Sequence, residues 1–211
     1  MKTKKRLYII PAAILAALLI TAGALFLFLH VTQWGFSRTV PFMEQLHRLH
    51  TVHTAQQWRG VQEGYGGHEQ ILEIYNSHEP LAQGYEVKAT DSWCAAFGSS
   101  VAIKCGITDI VPTECGCERQ IGLWQQLGRW EENDNYMPLP GDYIYYAWDE
   151  RFSFGDCTGW ADHVGIVVGT AGPFIKVIEG NKDDMVTYRI ILRGNWQIRG
   201  FGLPDYASKT Q

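Results

Sequence analysis

The chain has 211 residues, with 18 Lys and Arg against 22 Asp and Glu, 46% hydrophobic and 13% aromatic side chains, and five cysteines. Setting aside the four positive charges of residues 1–6 leaves 14 basic against 22 acidic groups, a net of −8, which argues against a nucleic-acid partner and gives no electrostatic pull toward an anionic cell wall. About 180 residues follow an apolar N-terminal run, enough for one core of ordinary domain size, and no internal repeat or low-complexity tract interrupts them.

Lys2, Lys4, Lys5 and Arg6 precede residues 7–31, an apolar run of 25 residues broken only by Tyr8, Pro11, Thr21, Gly23 and His30. A helix of about 20 apolar residues crosses a bilayer, so the run reads as a single-pass transmembrane signal anchor with the basic tail 1–6 in the cytoplasm and the remainder extracytoplasmic. Ala22-Gly23-Ala24 resembles a small-residue cleavage site, and secretion after signal cleavage is the alternative; the apolar run continues past it in Leu25-Phe26-Leu27-Phe28-Leu29. An anchor would hold the domain at high effective concentration beside a wall substrate, in the role that a separate wall-binding domain plays elsewhere.

Residues 32–60 read as a juxtamembrane stalk. Met43, Leu46, Leu49 and Val52 recur every three residues, which permits a short amphipathic helix, while Trp34, Gly35 and Pro41 suit an interface and a break. His47, His50 and His53 share that spacing, but successive members rotate about 60° around a helix, so the outer two diverge and a solvated face is the simpler reading than a metal site.

Helical patterns follow at 67–77, 93–104 and 118–127, the third ended by Gly128; strand-like runs occupy 142–147, 163–168, 174–179 and 186–192. Helices first and an antiparallel sheet second predict an α+β fold with a cleft between two lobes. Asp91 and Ser92 are good helix caps and Gly106 is a plausible stop, so Cys94 falls in the first turn of the second helix, where the helix dipole favours a thiolate. Gly169-Thr170-Ala171-Gly172-Pro173 joins the next two strands as a hairpin. Pairing Val168 with Phe174 sets His163 opposite Glu179, and period-two alternation adds Asn181 to the same face. One histidine then has two candidate orienting partners, and nucleophile, base and orienter are all present. Singly, each has a plainer reading, since a cysteine in Trp-Cys-Ala-Ala-Phe is by default a small buried hydrophobe and a histidine beside a strand is more often structural. Their joint pattern outweighs that.

The matching pieces are Trp93-Cys94-Ala95-Ala96-Phe97, Pro140-Gly141-Asp142-Tyr143-Ile144-Tyr145-Tyr146, Asp162-His163-Val164-Gly165-Ile166-Val167, Ile178-Glu179-Gly180-Asn181 and the closing Ile198-Arg199-Gly200-Phe201-Gly202-Leu203-Pro204. In that order and spacing, residues 66–206 resemble the CHAP family of cysteine, histidine-dependent amidohydrolases and peptidases, papain-like peptidoglycan hydrolases of bacteria and phages. The resemblance implies a papain-like fold over 61–207, N-terminal helices packed on an antiparallel β-sheet, here preceded by one transmembrane helix. It sets the catalytic cysteine on Cys94, the histidine on His163, the acidic residue on Glu179 and the asparagine on Asn181, and suggests that Glu179 orients the ring. It implies peptidoglycan as partner, cut as an N-acetylmuramoyl-L-alanine amidase or a peptide endopeptidase. Two other readings compete: a cysteine peptidase or amidase on a different substrate, and a non-catalytic wall-binding protein that keeps the fold.

The backbone N–H of Cys94 is the natural oxyanion donor. Trp93, Tyr145, Tyr146 and Trp148 are candidates for the groove, with core packing the plainer reading for most. Cys115 or Cys117 pairing with Cys157 is conceivable outside the membrane, and Cys105 completes the set; Cys115-x-Cys117 is too short for a standard zinc knuckle. No cofactor is expected. Asp149, Glu150, Asp156 and Asp162 could hold calcium, as in some members of the family, but they lack regular ligand spacing and read first as a solvated acidic loop.

Overall fold

A computed structural model describes Ile14, 34–148 and 157–210. The described residues from Gly35 onward form one compact unit. Among its described residues, four α-helices, α1 (Phe42–Gln57), α2 (His68–Asn76), α3 (Cys94–Cys105) and α4 (Cys117–Gln126), precede most of an antiparallel six-stranded sheet in an α+β arrangement. The strands are β1 (Trp130–Glu131), β2 (Tyr143–Tyr146), β3 (His163–Ala171), β4 (Phe174–Lys182), β5 (Met185–Leu192) and β6 (Ile198–Gly202), in the spatial order β1-β6-β2-β3-β4-β5. The closing segment 198–202 is thus an interior strand between β1 and β2.

Among the described residues no helix is long and apolar enough to cross a membrane. The longest, α1, has 16 residues and buries Glu44 and Arg48, so it lacks both the length and the apolar surface that a bilayer requires. The expected transmembrane helix preceding the domain, and with it a single-pass membrane localisation with an extracytoplasmic domain, is corrected accordingly; of its residues 7–31, all but Ile14 lie outside the described residues.

The stalk reading of 32–60 also changes, because α1 is built into the compact unit. Of the expected apolar stripe only Val52 is buried; Met43, Leu46 and Leu49 are nearly half exposed, and the neighbouring Phe42 is 71% exposed. The inward face is Glu44, Arg48, Thr51, Val52 and Ala55, which follow the true helical repeat rather than a period of three. What chooses that face is a charge cluster. Arg48 Nε donates to Glu44 Oε1 (2.8 Å), and Nη1 donates to Asp142 Oδ1 (2.7 Å) and the Pro140 carbonyl (3.1 Å). Asp142 Oδ2 in turn accepts the Leu139 N–H at 2.8 Å, and the guanidinium lies 4.7 Å above the Tyr206 ring. A buried carboxylate beside β2 is tolerable only with such a partner, and Arg48 supplies it from a different element.

The helices cover one sheet face. Trp93, Phe97 and Trp124 are fully buried, and burial of an aromatic or aliphatic side chain such as Phe97 contributes about 1.5–3 kcal/mol. Helix α3 approaches β4 backbone to side chain: a Cβ on Gly180 would lie 2.5 Å from Phe97 Cβ and 2.9 Å from Trp93 Cζ3. Glycine there is what lets the helix bearing Cys94 settle against the strand bearing Glu179.

Arg48→Met leaves Asp142 buried and unpaired, and is expected to lower unfolding free energy by about 3–5 kcal/mol, read as a fall in the urea midpoint. An unchanged midpoint would contradict the assignment of α1 to the core.

Candidate active site

Helix α3 begins at Cys94 itself, with Trp93 as its N-cap and no side-chain cap. Asp91, the expected cap, is engaged elsewhere: its Oδ2 accepts the Lys88 N–H at 2.8 Å and the Tyr85 hydroxyl at 2.7 Å, closing a turn before the helix. The first N–H groups of α3 therefore stay free of a side-chain acceptor, and their positive end lies at the Cys94 thiol. At the other end Gly106 takes the left-handed conformation (φ 66°) that stops the helix.

The β3–β4 hairpin is tighter than expected. Ala171 pairs with Phe174 across a two-residue Gly172-Pro173 turn, and a bulge follows between Val167 and Gly169, so that Ile166 faces Ile178. Continuing that register sets Gly165, not His163, beside Glu179. The displacement is two residues, which preserves the face, so His163 and Glu179 still point to one side and meet on the diagonal. Gly165 makes that diagonal passable: a Cβ there would lie 2.7 Å from Glu179 Cγ and 2.5 Å from Val177 Cγ1. Across the gap His163 Nε2 meets Glu179 Oε2 at 3.1 Å, which leaves Nδ1 as the ring nitrogen available to the Cys94 thiol.

Asn181 does not join them. It sits at φ 56° in an irregularity between Glu179 and Lys182, just before a turn with Asp183 and Asp184 at φ 54° and 58°. That break ends the strict alternation on which its shared face with Glu179 depends, and among the described residues it makes no hydrogen bond to His163.

Arg189, which the sequence reading missed, completes the chain. It stands opposite Val177 on β5, one same-face step from the Glu179–Thr187 pair, and its Nε donates to Glu179 Oε1 at 2.7 Å. Its guanidinium lies 4.6 Å from the Trp148 ring centroid, and that ring stacks on Tyr146 at 4.5 Å. Glu179, with no exposed surface, thus holds a cation on each oxygen. Burial raises its pKa, but the hydrogen bonds from His163 and Arg189 outweigh that and lower it. For His163, burial disfavours the charged ring, yet hydrogen bonds and attraction from Cys94 and Glu179 prevail and push its pKa up to about 9.

A second cysteine completes the surroundings of the nucleophile. Cys117 is the first residue of α4, following the extended Gly116, and its Sγ is 3.6 Å from Cys94 Sγ. Two helix N-termini therefore meet at one sulfur pair. A hydrogen bond from Cys117, together with hydrogen bonding and attraction from His163 and the Val164 backbone N–H, holds the Cys94 pKa well below the usual thiol value despite burial. The Cys117 thiol, facing that sulfur, is pushed well up. The segment before β3 is tied to both neighbours, since Glu118 Oε2 accepts the Ala161 N–H at 2.9 Å and Asp162 Oδ2 accepts the Trp148 N–H at 3.1 Å.

Of the groove candidates, Trp93, Tyr145 and Tyr146 are fully buried, and only Trp148 is half-buried. Tyr145 is locked in the core, accepting from Trp124 Nε1 (2.7 Å) and donating to Gln120 Oε1 (2.8 Å). Cys115 and Cys117 are both free thiols, so the pairing of either with Cys157 is not formed. Among the described residues no group of three or more His, Cys, Asp or Glu could hold a metal ion; Asp149, Glu150 and Asp156 lie outside them.

No protein-family model matches the chain, and no curated protein sequence matches it. Among solved structures, the crystal structure of Ly7917 is similar at 15% identity and a TM-score of 0.34, over 54% of this chain and 54% of that one. The match spans about half of that chain's length.

The raised His163 pKa fixes the sign of a pH test. The charged ring is favoured in the folded state, fully so below about 6.5 and decreasingly as pH rises through about 9. In Glu179→Gln the His163 titration, followed by NMR of its ring protons, is expected to shift to lower pH, whereas Asn181→Ala leaves it in place. A shift in the Asn181 variant alone would reverse the assignment of the orienting residue.

Proposed function

We propose that the chain is a CHAP-like cysteine hydrolase that cleaves an amide bond of peptidoglycan. The observation that carries the reading is the buried run from Cys94 through His163 and Glu179 to Arg189, a nucleophile, base, orienter and anchor drawn from α3, β3, β4 and β5. Cysteine catalysis needs a thiolate and an adjacent proton carrier, and these residues supply both.

In the proposed cycle the Cys94 thiolate attacks the amide carbonyl carbon, and the His163 imidazolium gives its proton to the departing amine. The C–N bond breaks and leaves a thioester on Cys94. His163, now neutral, takes a proton from water, whose oxygen attacks the thioester and releases the acid, restoring the thiolate and imidazolium. Glu179 keeps Nε2 engaged so that Nδ1 faces the sulfur throughout, and the uncapped N–H groups at the start of α3 face the developing oxyanion. Arg189 and the Trp148–Tyr146 stack hold the carboxylate in place. The choice of peptidoglycan rests on the five ordered motifs and their CHAP resemblance.

The wild-type chain incubated with purified sacculi is expected to release new amino groups without new reducing ends, identified by mass spectrometry. Cys94→Ser is expected to lose on the order of 10³-fold or more of that activity while keeping its far-UV circular dichroism. Intact sacculi alongside cleavage of a protein amide would assign the same machinery to a different substrate, and full activity in Cys94→Ser would end the cysteine-hydrolase reading.

Arg189→Met removes a charge-assisted hydrogen bond worth about 1.5–3 kcal/mol, so kcat/KM is expected to fall about 10- to 100-fold, with partial recovery in Arg189→Lys. Equal activity in both variants and the wild type would remove Arg189 from the assembly.

A further inference from the structure

The cycle above uses one sulfur, yet two stand together. Cys94 and Cys117 are the first residues of α3 and α4, each nearly buried, with their Sγ atoms 3.6 Å apart. A disulfide needs about 2.05 Å, so the sulfurs have to close by about 1.5 Å, within reach of side-chain rotation at two helix starts. Cys115 is not an equivalent neighbour, because its thiol faces Glu114 Oε1 at 3.5 Å, and Gln83 Nε2 reaches both.

We propose that Cys94 and Cys117 form an oxidative modification site, in which a hydroperoxide converts the pair to a reversible disulfide and takes the nucleophile out of service. The Cys94 thiolate attacks a peroxide oxygen and the O–O bond breaks. With hydrogen peroxide, the released hydroxide picks up a proton as water and Cys94 becomes a sulfenic acid. The Cys117 sulfur then attacks the Cys94 sulfur, forming the S–S bond, and the sulfenic hydroxyl leaves with the Cys117 proton as a second water. Two electrons pass from the sulfurs to the peroxide. An external dithiol reverses the step by exchange.

The surroundings favour this course. The helix starts and His163 that sustain a thiolate at Cys94 also make it the sulfur that meets the oxidant. The resolving sulfur is already in van der Waals contact, so the sulfenic acid is captured before it is oxidised further. The loss of activity rests on the hydrolase reading; formation of the bond does not, because mass alone reads it.

The test is hydrogen peroxide added to the full chain at neutral pH, followed by peptide mapping without reductant. The expected result is a linked pair of peptides carrying Cys94 and Cys117, two fewer titratable thiols, and return of both thiols with dithiothreitol. Sacculus hydrolysis, where present, is expected to fall on the order of 10³-fold and return with the reductant. In Cys117→Ser the link cannot form, and peroxide is expected to carry Cys94 to sulfinic acid, two oxygens heavier and not restored by dithiothreitol. Wild-type Cys94 that accumulates oxygen without the 94–117 link, or a link from Cys117 to Cys115, would overturn the proposal. The wild-type map decides the matter even where Cys117→Ser fails to fold.

Discussion

A carboxylate with no exposed surface organises this molecule. Glu179 cannot stay ionised in the interior without partners, and its two oxygens take one cation each, His163 from β3 and Arg189 from β5. Satisfying that charge requires a charged imidazole, and a charged imidazole beside a thiol favours a thiolate. The protonation pattern of the site therefore begins with burial of an acid, and the nucleophile is its far end.

Glycines set the distances along this chain. Gly165 removes a side chain where the carboxylate crosses from β4 to β3, and Gly180 lets α3 rest on β4. Either Cβ would collide with an atom of the site or of its supporting helix. Across the sheet, the Arg48–Asp142 pair performs a comparable task for the edge of the core, fastening α1 to the turn that leads into β2. Both arrangements pair charges across different elements, and both turn a buried carboxylate from a liability into a geometric constraint.

Convergence of two helix N-termini gives the site its second character. Cys94 and Cys117 each begin a helix, and both helices direct their positive ends at one sulfur pair. Such an environment stabilises one thiolate and resists a second, which divides the two sulfurs into a reactive member and its proton-bearing neighbour.

Local signals in the sequence determined a good deal: Gly106 and Gly128 as helix stops, the placement of Cys94 in a first helical turn, the hairpin after His163, and the shared face of His163 and Glu179, which survives a register displaced by an even number of residues. Capping, turn chemistry and period-two alternation act over a few residues and leave their mark there. Tertiary structure alone decided the rest. The bulge in β3 and the break at Asn181 chose Glu179 over Asn181; packing of β5 brought Arg189 to the carboxylate; the loop from α3 to α4 delivered Cys117 to Cys94; and a buried charge, not an apolar stripe, selected the inward face of α1. Each depends on how separate elements pair or pack, and such approaches have no local signature because the free energy that fixes them belongs to the whole core.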